Sequence, residues 1–136
     1  MSELDAVLFA NEAFYRAFAD RDMDIMAEAW AEDAAVSCIH PGWGLLEGRD
    51  EVLLSWQAIL DNPGSPAIQC LAARAHMLGE MAYVICFEEI QGNYLIATNI
   101  FVHEGKRWRL VHHQAGATAE KPPADPDDEG ESGLIN

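Results

Sequence analysis

The chain is short of positive charge, of cysteine and of long apolar runs, and each shortage removes a class of function. Eight lysines and arginines stand against 23 acidic residues in 136, a formal net charge of −15. A surface this negative repels phosphate backbones and anionic lipids, so neither nucleic acid nor membrane is an expected partner. The three cysteines, Cys38, Cys70 and Cys86, cannot all pair within the chain, and none has C-x-x-C or other metal spacing. Each sits in an apolar, strand-like stretch, which reads as a reduced core residue of a cytoplasmic protein. Nothing approaches the run of roughly 20 apolar residues that spans a bilayer. Glu3, Asp5, Asn11 and Glu12 break up the first segment, so no secretory leader is expected.

What is present suits one globular domain, since half of the residues are apolar and the length allows one core but not two. Ser2 followed by Asp5 resembles a capping arrangement. Leu4, Val7, Leu8, Phe14, Tyr15 and Phe18 then recur at helical spacing, predicting a helix over about Glu3 to Arg21. Asp22 can cap a second helix carrying Met23, Ile25, Met26, Ala29 and Trp30. Ala35 to Ile39 suits a short strand. A third helix follows Gly48, with Asp50 and Glu51 in its first turn, where carboxylates complement the macrodipole. Its inner stripe is Val52, Leu53, Trp56, Ile59 and Leu60, and it stops at Asn62 and Pro63.

Four strands are predicted next, over Ile68–Leu78, Met81–Ile90, Tyr94–His103 and Arg107–Ala115, joined by turns at Gly79, Gly92 and Gly105 that make neighbours antiparallel. The strand Met81–Ile90 is apolar on both faces, so both should be covered. Helices can cover one of them, and a second copy of the chain is expected on the other, giving a homodimer through the sheet face. The domain is expected to occupy residues 1–116, and residues 117–136 to form an acidic, proline-rich tail of disordered composition. Leu134 and Ile135 are that tail's only apolar anchor, with Lys106, Arg107 and Arg109 as candidate charged contacts.

The densest chemistry lies in Cys38-Ile39-His40-Pro41-Gly42-Trp43 and the glycines that follow it. Proline fixes its own φ and keeps His40 extended, while glycine permits positive φ, so the loop is restricted to few shapes. It reads either as a binding-site rim or as a plug in which Trp43 and the following leucines close one end of the core.

These residues, together with Gly48-Arg49, Ser55-Trp56, Thr98-Asn99-Ile100-Phe101 and Trp108-Arg109-Leu110-Val111-His112-His113-Gln114, resemble a SnoaL-like subgroup of the nuclear transport factor 2-like superfamily, which includes the ketosteroid isomerases. The resemblance implies an α+β cone: N-terminal helices packed on a strongly curved, mainly antiparallel sheet that encloses an apolar pocket. It also implies that Tyr15 points into the cone. Ketosteroid isomerases place a carboxylate base at the end of the first strand, and Cys38, Ile39 and His40 occupy that region here without one. Asn99 is the nearest polar match to the later acidic donor.

His40 is therefore the expected base, because imidazole titrates near neutral pH. Tyr15, Asn99 and Trp43 are the candidate donors. Trp56, Cys38, His112 and Arg49 complete the expected ligand-binding set. Only one of His112 and His113 can enter the pocket: if Trp108 and Leu110 face inward, strict alternation takes His112 with them and sends His113 outward. Glu88 and Glu89 face opposite ways, so one of them should end near the pocket or the sheet edge. Arg49, poorly placed for the dipole at a helix start, either pairs with Glu47 or Asp50 or binds a ligand carboxylate. A metal would need His40, His112 and Glu88 gathered from separate strands with no supporting spacing, so neither metal nor cofactor is expected. Two functions follow: a small-molecule pocket for an apolar carbonyl compound, with isomerase, cyclase or dehydratase-type proton transfer, or a non-catalytic association module.

Overall fold

A computed structural model of the chain describes residues 2–123. Helix α1 spans Glu3–Asp20, capped by Ser2, whose hydroxyl accepts from the Asp5 amide at 3.1 Å, and closed by Arg21 in the left-handed conformation (φ 53°). The Asp22 side chain caps α2, Met23–Ala29. Strand β1 covers Ser37–Ile39, β2 covers Leu46–Glu47, and α3 runs over Arg49–Asp61. Strands β3 (Gln69–Leu78), β4 (Met81–Ile90), β5 (Asn93–Glu104) and β6 (Arg107–Ala117) complete a six-stranded sheet in the order β2-β1-β6-β5-β4-β3.

Every pairing is antiparallel except β1 with β6, which run parallel with Cys38 opposite His113. The long meander is the α+β arrangement expected of the sequence. The β4–β5 turn needs positive φ at both central residues, and Gln91 (51°) and Gly92 (83°) supply it. Two-residue β2 was not anticipated, because a pair of residues carries no periodicity. The proposed docking of Leu134 and Ile135 falls outside the described residues.

The sheet curls around three helices, and the core lies between them. Phe14 of α1 sits edge-on to both Trp30 and Trp56, with ring centroids 6.3 and 5.4 Å away. Val7, Ala17, Met26, Val52, Val84, Phe101 and Leu110 close around these rings with almost no exposure. Fully burying side chains of this size contributes about 1.5–3 kcal/mol each. On β4 the residues Ala82, Val84, Cys86 and Glu88 face this core, while Tyr83 and Ile85, on the opposite face, are only half-buried.

One irregularity reorients the end of β6. Ile100 pairs with His112 but Phe101 pairs with Leu110, so Val111 is an extra residue in β6. Such a bulge breaks the two-residue alternation. Trp108 and Leu110 point inward as expected, but the next inward residue is His113, opposite Asn99, and His112 turns to the outer face. That reverses the expected assignment of the two histidines. His112 instead lies beside Ser37 Oγ, 2.7 Å from its Nδ1.

Candidate functional site

The cone encloses a cavity of about 430 Å3. Its walls are apolar: Phe14 and Phe18 from α1, Trp56 and Ile59 from α3, Ile68 beside β3 and Ile90 at the end of β4. Pro41 and Trp43 from the glycine-rich loop and Asn62, Ser65 and Pro66 after α3 form the rim, where Trp43 is 48% exposed. His40 lines the wall beside Tyr15, Trp43 and Trp56.

The polar groups gather at the floor. Glu88, 2% exposed, accepts a hydrogen bond from the Tyr15 hydroxyl at 2.6 Å. His113 Nε2 lies 3.9 Å from the same carboxylate oxygen. Burial holds the Glu88 carboxyl above the usual carboxylate range, with the Tyr15 hydrogen bond pulling the other way. Burial, then the nearby carboxyl of Glu88, pushes the Tyr15 hydroxyl well above its ordinary value, so Tyr15 stays a donor. Burial, aided by His40 and His112, lowers His113 to about 3, and burial lowers His40 to about 4. Both rings are neutral at pH 7.

A chain of amides settles which nitrogen of His113 carries the proton. Asn99 Nδ2 donates to Asn11 Oδ1 at 2.8 Å, which turns Asn99 Oδ1 toward His113 Nδ1. An amide oxygen only accepts, so Nδ1 carries the hydrogen and Nε2 keeps its lone pair toward Glu88. His40 is engaged differently. The Ser55 hydroxyl donates to Val52 O at 2.6 Å, so Ser55 Oγ accepts from His40 Nε2 at 2.9 Å. That leaves the His40 lone pair on Nδ1, which packs 3.9 Å from Cys38 Sγ.

The other expected site residues divide. Asn99 is fully buried and reaches the site through His113. Cys38 is buried behind His40, and burial, then Glu88, pushes its thiol up to about 12. Arg49 is not at the rim and pairs with neither Glu47 nor Asp50. It donates to the carbonyls of Ala27, Trp30 and Ala31 at 2.8–3.0 Å, satisfying the acceptors that α2 leaves open at its C-terminus. His112, on the outer face, cannot join His40 and Glu88 around a metal. Glu88, His113, Ser55 and Asn11 belong to the site although none of them stood in the expected catalytic or ligand-binding set. The adjacent Glu88-Glu89 pair was the one signal that pointed to a carboxyl near the pocket.

Comparison with known proteins agrees with this architecture. The SnoaL-like domain family matches residues 7–120. The F-box protein SKIP8 of Arabidopsis thaliana is 30% identical over 112 residues, covering 81% of this chain and 48% of that protein, so the chain spans about half the length of this curated relative. A crystal structure from Streptomyces avermitilis, provisionally described as a dehydratase of the NTF2-like family, is 30% identical with a TM-score of 0.78, covering 87% of this chain and 97% of that one. Another from Thiobacillus denitrificans, provisionally described as a calcium/calmodulin-dependent protein kinase type II association domain, is 31% identical with a TM-score of 0.72, covering 80% and 92%. With a cone built of these elements and a family match over nearly all the described residues, the chain belongs to the SnoaL-like domain family of the NTF2-like superfamily.

Proposed function

We propose that the cone binds a small, largely apolar molecule bearing a carbonyl or hydroxyl group and moves a proton on it, in a reaction of the dehydratase type. The observation that carries this reading is the 3.9 Å separation between the lone-pair nitrogen of His113 and the raised carboxyl of Glu88 at the floor of an apolar cavity. A neutral imidazole is a base and a protonated carboxyl is an acid, and the two are within reach of one ligand. His113 Nε2 takes a proton from the carbon next to the carbonyl. Glu88 gives its proton to the departing hydroxyl, which leaves as water as the carbon–carbon double bond forms. The proton held by His113 then returns to Glu88. Tyr15 steadies the carboxyl, or a ligand oxygen in its place. Among the described residues no lysine or arginine lines the cavity, so the ligand is expected to be uncharged.

The provisional dehydratase description of a 30% identical neighbour supports the same reading. The test uses a panel of neutral β-hydroxy ketones in deuterated water, read by NMR for exchange at the α-carbon and by absorbance for the conjugated product. Wild-type protein should exchange the α-proton of at least one compound, and His113→Gln should slow exchange by about 10²–10⁴-fold. Compounds that bind the cavity yet exchange no faster than in buffer would defeat the proposal.

A second reading, self-association, is favoured by the outer sheet face. Tyr83, Ile85, Ile96, Ile100 and Val102 form an apolar surface there that is only half-buried, and one similar structure carries an association-domain description. We infer a homodimer through this face, compatible with an occupied cone. Three unpaired thiols support a cytoplasmic location, and no helix among the described residues is long and apolar enough to cross a membrane.

A further inference from the structure

Asn99 stands behind the cavity wall rather than in it. It is fully buried near the middle of β5, opposite Val84 of β4 and His113 of β6, and its neighbours Tyr15, Glu88 and His113 are the ones that line the cavity. Asn11 and Tyr15 lie four positions apart on α1, so both sit on the buried face that meets the sheet over Asn99. Every polar atom of the Asn99 amide is engaged there. Nδ2 carries two hydrogens and donates to Asn11 Oδ1 at 2.8 Å and to the Tyr15 hydroxyl oxygen at 3.2 Å. Oδ1 accepts from His113 Nδ1. Asn11 spends its own Nδ2 on Cys70 Sγ, 3.7 Å away, which leaves its oxygen facing Asn99. The Tyr15 oxygen receives a hydrogen from Asn99 and keeps its own for Glu88, 2.6 Å away.

We propose that Asn99 is the positioning residue that divides the cavity floor into an acid arm and a base arm. Through Nδ2 it holds Tyr15 as the donor to Glu88. Through Oδ1 it holds the ring hydrogen of His113 on Nδ1, so that the lone pair on Nε2 is left for a ligand. This division serves the proton transfer proposed above and rests on that reading, while the hydrogen bonds themselves do not.

The chemistry of the three neighbours explains why an amide stands here. They require one acceptor and two donors, which a primary amide supplies and a hydroxyl does not. An aliphatic side chain would leave three buried polar groups without their partner. An ionised carboxyl has no hydrogen for Asn11 or Tyr15. It would also place a negative charge against His113, and an opposite charge that close favours the imidazolium by about 1–3 pKa units. An uncharged amide orients the ring without helping to protonate it, and the ring stays a base.

The experiment labels the histidine rings of the full chain with nitrogen-15 and records long-range proton–nitrogen correlations at neutral pH, with His113→Gln assigning the His113 signals. Wild-type His113 should carry its hydrogen on Nδ1 and none on Nε2. A hydrogen on Nε2 would overturn the proposal, because both amides would then be turned the other way round. Asn99→Asp, close in shape, should abolish the wild-type pattern: an ionised carboxyl draws a second proton onto the ring, and a protonated one donates to Nδ1 and moves the ring hydrogen to Nε2. An unchanged pattern in that variant would equally defeat it. His40, held by Ser55, should keep its hydrogen on Nε2 in both proteins, which separates the change at His113 from a general loosening of the site. For the acid arm, Tyr15→Phe should shift the resonance of one of the two Asn99 side-chain hydrogens. If neither moves, Asn99 does not hold Tyr15 and the proposal fails. None of these readouts needs a substrate, so wild-type protein that shows the expected pattern yet exchanges no α-proton would count against the proton-transfer reading alone.

Discussion

The Tyr15 hydroxyl donates to Glu88 Oε2 across 2.6 Å, tying α1 to the middle of the sheet through two residues 73 positions apart. Removing the donor leaves a buried carboxyl without its hydrogen bond. Tyr15→Phe should therefore cost about 1–3 kcal/mol of stability, measured by urea denaturation, and should raise the Glu88 pKa further. An unchanged urea midpoint would mean that water or another donor replaces the hydroxyl.

Glu88 also sets a pH dependence. Its folded pKa is raised above 4.5, chiefly by burial, so its contribution is fully present below the unfolded value and is lost as pH rises through the folded one. Glu88→Gln removes the ionisation. The variant should be more stable than wild type at pH 8, with the advantage shrinking toward pH 4.5. Parallel urea midpoints for the two proteins across that range would contradict the raised carboxyl.

The histidines act in the opposite direction. His113 and His40 are lowered from 6.5 to about 3 and about 4, so the unfolded chain binds protons that the folded chain refuses. The stability they support is present above pH 6.5 and drains away as pH falls through the folded values. For His113 the slope is about 1.4 kcal/mol per pH unit within that window. His113→Gln, which can still donate to Asn99, should flatten the fall in melting temperature between pH 6.5 and 4. A slope equal to wild type would place the acid sensitivity elsewhere.

Arg49 should matter to folding rather than to ligand. Loss of its three charge-assisted bonds in Arg49→Ala should cost about 2–3 kcal/mol. Arg49→Lys should recover little of this, because a single ammonium cannot reproduce the planar fork that reaches three carbonyls. Affinity for any cavity ligand should be unchanged in whichever variant remains folded. A selective loss of binding would restore Arg49 to the site.

The homodimer rests on the outer face, where Ile85 pairs with Thr98 across from β5. Sedimentation at micromolar concentration should report twice the chain mass for wild type. Ile85→Glu, which spares the inner face, should give a monomer with native circular dichroism. A wild-type monomer would remove the covering proposed for that face.

Much of this fold is legible locally. The helical spacing of Val7, Phe14 and Tyr15, the Ser2 and Asp22 caps, and the glycine turns between long apolar strands each depend on a few neighbouring residues. They specify three helices followed by an antiparallel meander, and they place Tyr15 on the buried side of α1. The doubled acid at Glu88-Glu89 likewise states that one carboxyl ends near the pocket or the sheet edge, without saying which.

The rest belongs to contacts between distant segments. His112 and His113 cannot be told apart by alternation, because the single extra residue Val111 is accommodated only when β6 pairs with β5. Arg49 carries a charge at the wrong end of its own helix, and the reason is another helix's carbonyls, about 20 positions earlier. His113 acquires a defined tautomer only where Asn11 and Asn99 meet it, on three different elements. Local sequence determines which elements form and which faces are apolar, because those depend on backbone preference and periodicity. Register, bulges and buried polar partners are decided by the closed sheet, because hydrogen bonds and desolvation act between whichever groups the fold brings together.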